Sequence, residues 1–248
     1  MYPVITLGSF KIASYTLLTY ISFVAAAAYG YGRLVGTEKI KPPHAILFLV
    51  SLYFVQSIGG TVAPFLHRWY LRGEFPGYFF HSHPGRYFYS TLMASALFIV
   101  AYSKVAKWSV RRVLDYFGVA ACLMSAIGRI GCFLAGCCSG KPTHLPWALK
   151  FPPNFIAVHP TQIYHLIFEG FILFPLLLYI ERHKKYDGQT FWIYLLAYGA
   201  FRALIELIRT NPIAIWGMTN AQAFSVFLAF CSGLVLLFYR IKGEGERG

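Results

Sequence analysis

Charge is what this chain has least of. Aspartate and glutamate together number nine in 248 residues, and all charged residues make up only 12%, about half of what a soluble domain carries. With 57% hydrophobic residues and a mean hydropathy of +0.55, that scarcity excludes an ordinary soluble domain. The N-terminus lacks the basic stretch, short apolar core and small-residue cleavage site of a secretory signal, so the first apolar run is expected to stay in the membrane. Internal repeats are missing, and so is a second domain. A single transmembrane domain is expected over 1–241, followed by a polar tail over 242–248.

What is present is apolar sequence in lengths that suit a bilayer. Windows of about 20 residues give seven candidate spans, over 12–32, 45–66, 87–106, 113–134, 162–181, 190–209 and 219–239. The fold class expected is an all-α polytopic integral membrane protein. Of the 22 lysines and arginines, thirteen fall in segments that alternate onto one side, for example Lys104, Lys107, Arg111 and Arg112 after the third span. Seven fall on the other side, and Arg129 and Arg202 lie inside spans. The positive-inside rule then places the N-terminus outside and the C-terminus in the cytoplasm. The net charge of +13 is thus a topology signal and an attraction to anionic lipid, with no nucleic-acid surface implied.

This topology puts two irregular segments on the outer side, 67–86 and 136–161. The first carries Gly73, Pro76, Gly77, Pro84 and Gly85 among aromatics such as Phe75 and Tyr78, and reads as a lid at the interface or as an ordinary aromatic belt. The second, with five prolines from Pro142 to Pro160, cannot be continuous helix. Irregular backbone near a membrane is tolerated where it is buried in protein or lines a polar cavity.

A charged side chain at a helix centre in a bilayer costs about 3 kcal/mol, and this chain accepts that cost repeatedly. Arg202 and Glu206 are four apart and can pair on one helix face, with Tyr198 a turn earlier and Arg209 a turn later. They read either as a self-neutralised pair joining helices or as an anion-binding arginine held by a carboxylate. Arg129 has no acid within a turn, so its partner comes from another helix or from a ligand. Two arginines converging on one cavity suit a phosphate, which accepts bidentate guanidinium bonds. In His159-Pro160-Thr161-Gln162 the proline fits a first helical turn, with His159 or Thr161 a cap or a site residue. Glu169 shares a face with Gln162 and can pair with Arg129.

The five cysteines divide in two. Cys122 and Cys231 lie in apolar runs and read as small core residues. Cys132, Cys137 and Cys138 cluster beside Arg129, open to three readings: thiols activated by the arginine, a disulfide, or a metal site with His159. The spacing C-x4-C-C matches no common zinc pattern, so neither metal nor cofactor is expected.

Together these segments resemble the bacterial phosphatidylglycerol:prolipoprotein diacylglyceryl transferase family. Gly128-Arg129-Ile130-Gly131-Cys132-Phe133 follows the family pattern G-R-x-G-N-F, His159-Pro160-Thr161-Gln162-Ile163-Tyr164 follows H-P-S/T-Q-L/I-Y, and Gly199-Ala200-Phe201-Arg202 with Glu206 follows G-x-x-R-x-x-x-E. The resemblance departs at polar positions. Tyr89-Ser90-Thr91 stands where the family has His-Gly-Gly, Cys132 replaces the asparagine, and Cys137 replaces an acid, while Gly140 keeps the closing glycine.

The resemblance implies a multi-pass enzyme of the bacterial inner membrane, its site toward the outer side, moving a diacylglyceryl group from phosphatidylglycerol to a prolipoprotein or other thiol. Arg129 and Arg202 would hold the phosphodiester and Glu206 would orient Arg202. Tyr198, Gln162, Tyr164, Cys132, Gly140 and Glu169 would line the substrate. The thiol's proton needs an acceptor, and His159, His81, His83 and Tyr89 are candidates; Cys137 or Cys138 is a candidate for carrying the group covalently. Two other classes remain: a membrane thiol–disulfide protein using Cys132, Cys137 and Cys138, and a lipid or anion transporter.

Overall fold

The computed structural model describes residues 4–7, 10–72, 88–152, 155–215 and 217–245. The glycine, proline and aromatic positions from Gly73 to Arg86, with His81 and His83, lie outside the described residues, as do Pro153 and the last three tail residues.

Helix occupies each of the seven expected stretches: α1 Ser14–Tyr31, α2 Pro42–Arg72, α3 Phe88–Val105, α4 Val110–Ala135, α5 Thr161–His183, α6 Gln189–Glu206 and α7 Asn220–Gly245. Among the described residues, Pro42–Val62, Val110–Ala135, Thr161–His183 and Asn220–Lys242 are long and apolar enough to cross a membrane. Tyr89–Val105 is apolar but shorter. Three boundaries differ from the sequence reading. The segment expected to be a loop from residue 67 is helical as far as Arg72, a π-helix over Gly32–Thr37 prolongs α1, and α7 continues to Gly245. Three two-stranded hairpins went unforeseen: Val4–Leu7 with Phe10–Ala13, Leu149–Lys150 with Ala157–Val158, and Ile213–Ile215 with Met218–Thr219.

The chain forms two compact units, Gly30–Leu114 and Met1–Tyr29 with Asp115–Gly248. In the first, α2 packs on α3 through Gly59, where a Cβ would stand 2.6 Å from that of Ala94. Rings of Phe48, Phe98, Tyr102 and Trp108 meet there at centroid distances of 5.1–5.8 Å.

In the second unit α6 and α7 pack closely. A Cβ on Gly199 would lie 2.8 Å from the Ser225 carbonyl, so only glycine permits this approach, as small residues do between helices in lipid. The outer faces stay apolar: Phe227, Phe230 and Phe238 of α7 and Phe171 of α5 are exposed, as expected where lipid rather than water is the solvent. Helix α5 changes type along its length, from α over Thr161–His165 to π over Leu166–Leu173 and back to α over Phe174–His183. The wider turns end just ahead of Pro175, which has no N–H to give the ladder, and they bury Glu169 and Leu173.

Buried Asp115 at the start of α4 organises the turn into α6. It accepts from Lys184 Nζ at 2.6 Å, from Gly188 N–H at 2.8 Å and from Phe191 N–H at 3.0 Å, satisfying donors that a helix start leaves open. Asp115→Ala leaves two N–H groups in the interior without their acceptor and Lys184 with Asp187 at 3.4 Å as its remaining carboxylate, and is expected to destabilise the fold by about 3 kcal/mol. Thermal unfolding in detergent micelles measures this, and an unchanged midpoint would contradict the role given to Asp115.

Candidate active site

Among the described residues the larger unit buries Asp115, Glu169, Glu181 and Glu206, and two of these, Glu206 and Glu169, carry the ion pairs of the candidate site. The first, Glu206, ends α6 with its side chain 0% exposed and 2.9 Å from Arg202 Nη2. Arg209 Nε lies 3.9 Å away. Thr219 Oγ1 donates to Glu206 Oε1 at 2.9 Å, and Asn211 Nδ2 donates to the same oxygen. The i,i+4 pair seen in the sequence is therefore real, and donors from the segment beyond α6 complete it.

The second carboxylate is Glu169. His165 Nδ1 lies 2.6 Å from its Oε1, and both side chains are 0% exposed. Because a carboxylate accepts, the contact makes Nδ1 the protonated nitrogen and leaves Nε2 with a lone pair. The Phe201 ring meets His165 edge-on at 5.2 Å, and Cys122 Sγ donates to the Glu169 carbonyl at 3.2 Å. His165 was not singled out in the sequence, although its i,i+4 spacing from Glu169 equals that of Arg202 from Glu206.

Arg129, on α4, is half-buried. It lies within electrostatic reach of Glu169, Tyr198, Cys132 and Cys138, while His165 feels both Arg129 and Arg202. The interhelical partner expected for Arg129 is thus Glu169, acting through the field; the short contact of that carboxylate belongs to His165. Tyr198 is buried beside Tyr194, rings 5.8 Å apart. Among the described residues, Gln162 Oε1, His165 Nε2, Glu169 Oε2, Tyr194 Oη and Arg202 Nη1 are buried polar atoms with no hydrogen-bond partner in the protein. Buried polar groups without partners are expensive, and these atoms are therefore available to bond a polar ligand.

The loop after α4 closes one side. Gln162 Nε2 donates to the Cys137 carbonyl at 2.5 Å and Thr161 Oγ1 to the Cys138 carbonyl at 2.5 Å, so these α5 residues hold the thiol loop. Gly140 fits where a Cβ would stand 2.7 Å from the Ile208 carbonyl and 2.8 Å from His159 Cβ. His159 gives no side-chain cap to α5; its Nδ1 faces Tyr164 Oη at 3.4 Å, and Trp147 Nε1 donates to that hydroxyl at 2.8 Å. Pro160 stands one residue before the helix, not in its first turn. All five cysteines are free in this structure. The Cys138 thiol is held far below its ordinary range by hydrogen bonds with Cys132 and Cys137 and then by the charges of Arg209 and Arg129. Tyr89 stands on α3, in the unit of residues 30–114.

Among the described residues, four helices long and apolar enough to cross a membrane, with carboxylates buried in the interior, define a membrane protein. Residues 3–239 match the family described as prolipoprotein diacylglyceryl transferase, and the chain belongs to that family. It is 36% identical over 151 residues to the phosphatidylglycerol–prolipoprotein diacylglyceryl transferase of Clostridium tetani, a match that spans 59% of this chain and 60% of that protein. It is 28% identical over 246 residues to phosphatidylglycerol–prolipoprotein diacylglyceryl transferase 2 of Clostridium perfringens, covering 96% and 95% of the two chains. With the Bordetella avium protein of the same description it shares 29% over 249 residues, 93% and 90% of each.

Glu206→Ala would leave Arg202, Asn211 and Thr219 without their common acceptor, and a loss of about 3–5 kcal/mol is expected. Glu206→Gln keeps an oxygen for Thr219 and Asn211 and should lose less. Unfolding midpoints of the two variants in micelles test the ordering, and equal midpoints would contradict it.

Proposed function

We propose that this chain transfers a diacylglyceryl group from phosphatidylglycerol to the cysteine thiol of a prolipoprotein. The observation that carries the proposal is the buried His165–Glu169 pair, within electrostatic reach of Arg129 and, at His165, of Arg202, in a chain matched to the family over nearly its whole length. Names of the related proteins supply donor and acceptor.

The chemistry follows from these groups. The head group enters from the membrane, and its phosphodiester takes the guanidinium of Arg129 and the unpartnered Nη1 of Arg202. Glu206 fixes the other end of Arg202. As the bond between the glycerol carbon and the phosphate oxygen breaks, charge gathers on the departing glycerol phosphate, and two fixed cations in a low-dielectric site stabilise it. The acceptor thiol must lose a proton to become a nucleophile. His165 Nε2 is oriented for this, since Glu169 holds Nδ1–H and stabilises the imidazolium that forms. It takes the role for which His159 was a candidate, because His159 faces Tyr164. Gln162 Oε1 and Tyr194 Oη remain to bond the glycerol hydroxyls.

In this proposal all seven helical stretches cross a bacterial inner membrane, with the N-terminus outside and the thiol loop toward the outer side. The excess of lysine and arginine on the opposite loops supports that orientation.

Incubating purified protein with phosphatidylglycerol and a peptide bearing the prolipoprotein cysteine, followed by mass spectrometry of the peptide, is the direct test. A diacylglyceryl thioether with release of glycerol phosphate is expected. Arg129→Gln and Arg202→Gln should each lower the rate by about 100-fold or more, and His165→Gln by about 100-fold, with helicity retained. Full turnover in folded arginine variants would overturn the proposal.

A further inference from the structure

Three thiols meet at the end of α4. The sulfurs of Cys132, Cys137 and Cys138 all lie within 4.8 Å of one another, although one belongs to the helix and two to the loop that leaves it. The loop is fixed mainly through its backbone: Gln162 and Thr161 hold the carbonyls of Cys137 and Cys138, Arg209 Nη1 reaches the Cys138 carbonyl at 3.3 Å, and Cys137 N–H donates to the Cys132 carbonyl at 3.1 Å. Cys138 sits at φ +64, a left-handed conformation that glycine takes freely and an L-residue takes at a cost of about 1–2 kcal/mol. A cysteine kept at such a position, facing two other free thiols, implies a use for its sulfur.

We propose that Cys132, Cys137 and Cys138 bind zinc(II) as a three-thiolate site, with the fourth coordination position taken by the sulfur of the acceptor cysteine. The second half of this rests on the transferase reading above. Zinc–sulfur bonds of about 2.3 Å in a tetrahedron set sulfurs about 3.8 Å apart, within reach of side-chain rotation from the observed cluster. Three protein ligands and one open position is the arrangement of a reactive zinc, whereas a structural zinc is closed by four. Cys137 and Cys138 are exposed, so an external thiol has access. Three thiolates on one zinc ion leave a net negative charge, which the acceptor thiolate increases. Arg129 and Arg209, the charged neighbours of Cys138, offset it.

The step balances. As the acceptor sulfur binds zinc its proton passes to His165 Nε2. The bound sulfur's electron pair then forms the bond to the lipid glycerol carbon, while the carbon–oxygen bond breaks and its electrons leave with glycerol phosphate. The resulting thioether is a poor zinc ligand and departs, reopening the position.

The test uses the full chain in micelles, stripped by chelator under reducing conditions and reloaded with zinc or with cobalt(II) as its spectroscopic stand-in. One zinc per chain is expected by elemental analysis, with a sulfur-to-cobalt charge-transfer band in the near ultraviolet. Cys231→Ser, on α7 outside the cluster, should keep both. Cys138→Gly should fold at least as well as the parent, since glycine suits φ +64, and yet lose the band. Adding the acceptor peptide should shift the visible cobalt bands, and a peptide with serine for cysteine should not.

Absence of stoichiometric metal in protein whose thiols titrate as free, or a disulfide among the three, overturns the site. Bands indifferent to the cysteine peptide overturn the open-position role. Metal and peptide signals without any thioether product sink the transferase reading and leave the three-thiolate site standing.

Discussion

A carboxylate inside apolar helices has nowhere to place its charge except on its neighbours, and the candidate site of the larger unit is arranged around two such groups. Glu206 gathers Arg202 from its own helix, Arg209 from the turn that follows, Asn211 from the segment beyond and Thr219 from the start of the next helix. Glu169 binds His165 and faces Arg129. Breaking one member of a buried ion pair is costly because the other is left charged and dry, so these contacts tie α4, α5, α6 and α7 together more specifically than apolar packing in lipid can. The same contacts leave one atom free on each partner, Arg202 Nη1, His165 Nε2 and Glu169 Oε2. In the proposed site, structural neutralisation and ligand binding would draw on opposite ends of the same side chains.

Much of this was legible from spacing. Seven apolar runs gave seven helices, and Arg202 with Glu206 gave a pair, because both depend only on local periodicity. The family resemblance rested on three short motifs in order, and the match over residues 3–239 agrees with it. Less legible were contacts made across the fold. Asn211 and Thr219 reach Glu206 from outside its helix, and no periodicity connects them. The clustering of Cys132 with Cys137 and Cys138 followed from their closeness in the chain, but the left-handed backbone at Cys138, which sequence disfavours for anything but glycine or asparagine, did not. His165 carried a signal in its i,i+4 distance from Glu169, the same spacing that joins Arg202 to Glu206. The π-helical course of α5, with Pro175 at its end, also has no periodic signature.

Two of the three departures from the family pattern lie together, while the third, Tyr89-Ser90-Thr91, stands on α3 in the other unit. Cys132 and Cys137 occupy positions where the family pattern has an asparagine and an acid, and Cys138 joins them in space. The arginines and Glu206 keep the pattern. In the proposed transfer, recognition of an anionic phosphodiester and handling of the thiol are separate tasks, and the residues proposed for them divide accordingly: guanidiniums on α4 and α6 for the donor, thiols and the His165–Glu169 pair for the acceptor side. One platform can therefore keep its lipid while the groups around the nucleophile change.

The central claim is that Arg129 and Arg202 form the seat of an anionic lipid head group inside the helical unit. Native mass spectrometry of protein released from nanodiscs of equal phosphatidylglycerol and phosphatidylcholine tests it without relying on turnover. The account predicts one retained phosphatidylglycerol per chain, and loss of that preference in an Arg129→Gln, Arg202→Gln double variant of normal helicity. Equal retention of the two lipids by the unaltered protein, or a preference for phosphatidylglycerol that survives the double substitution, would contradict it.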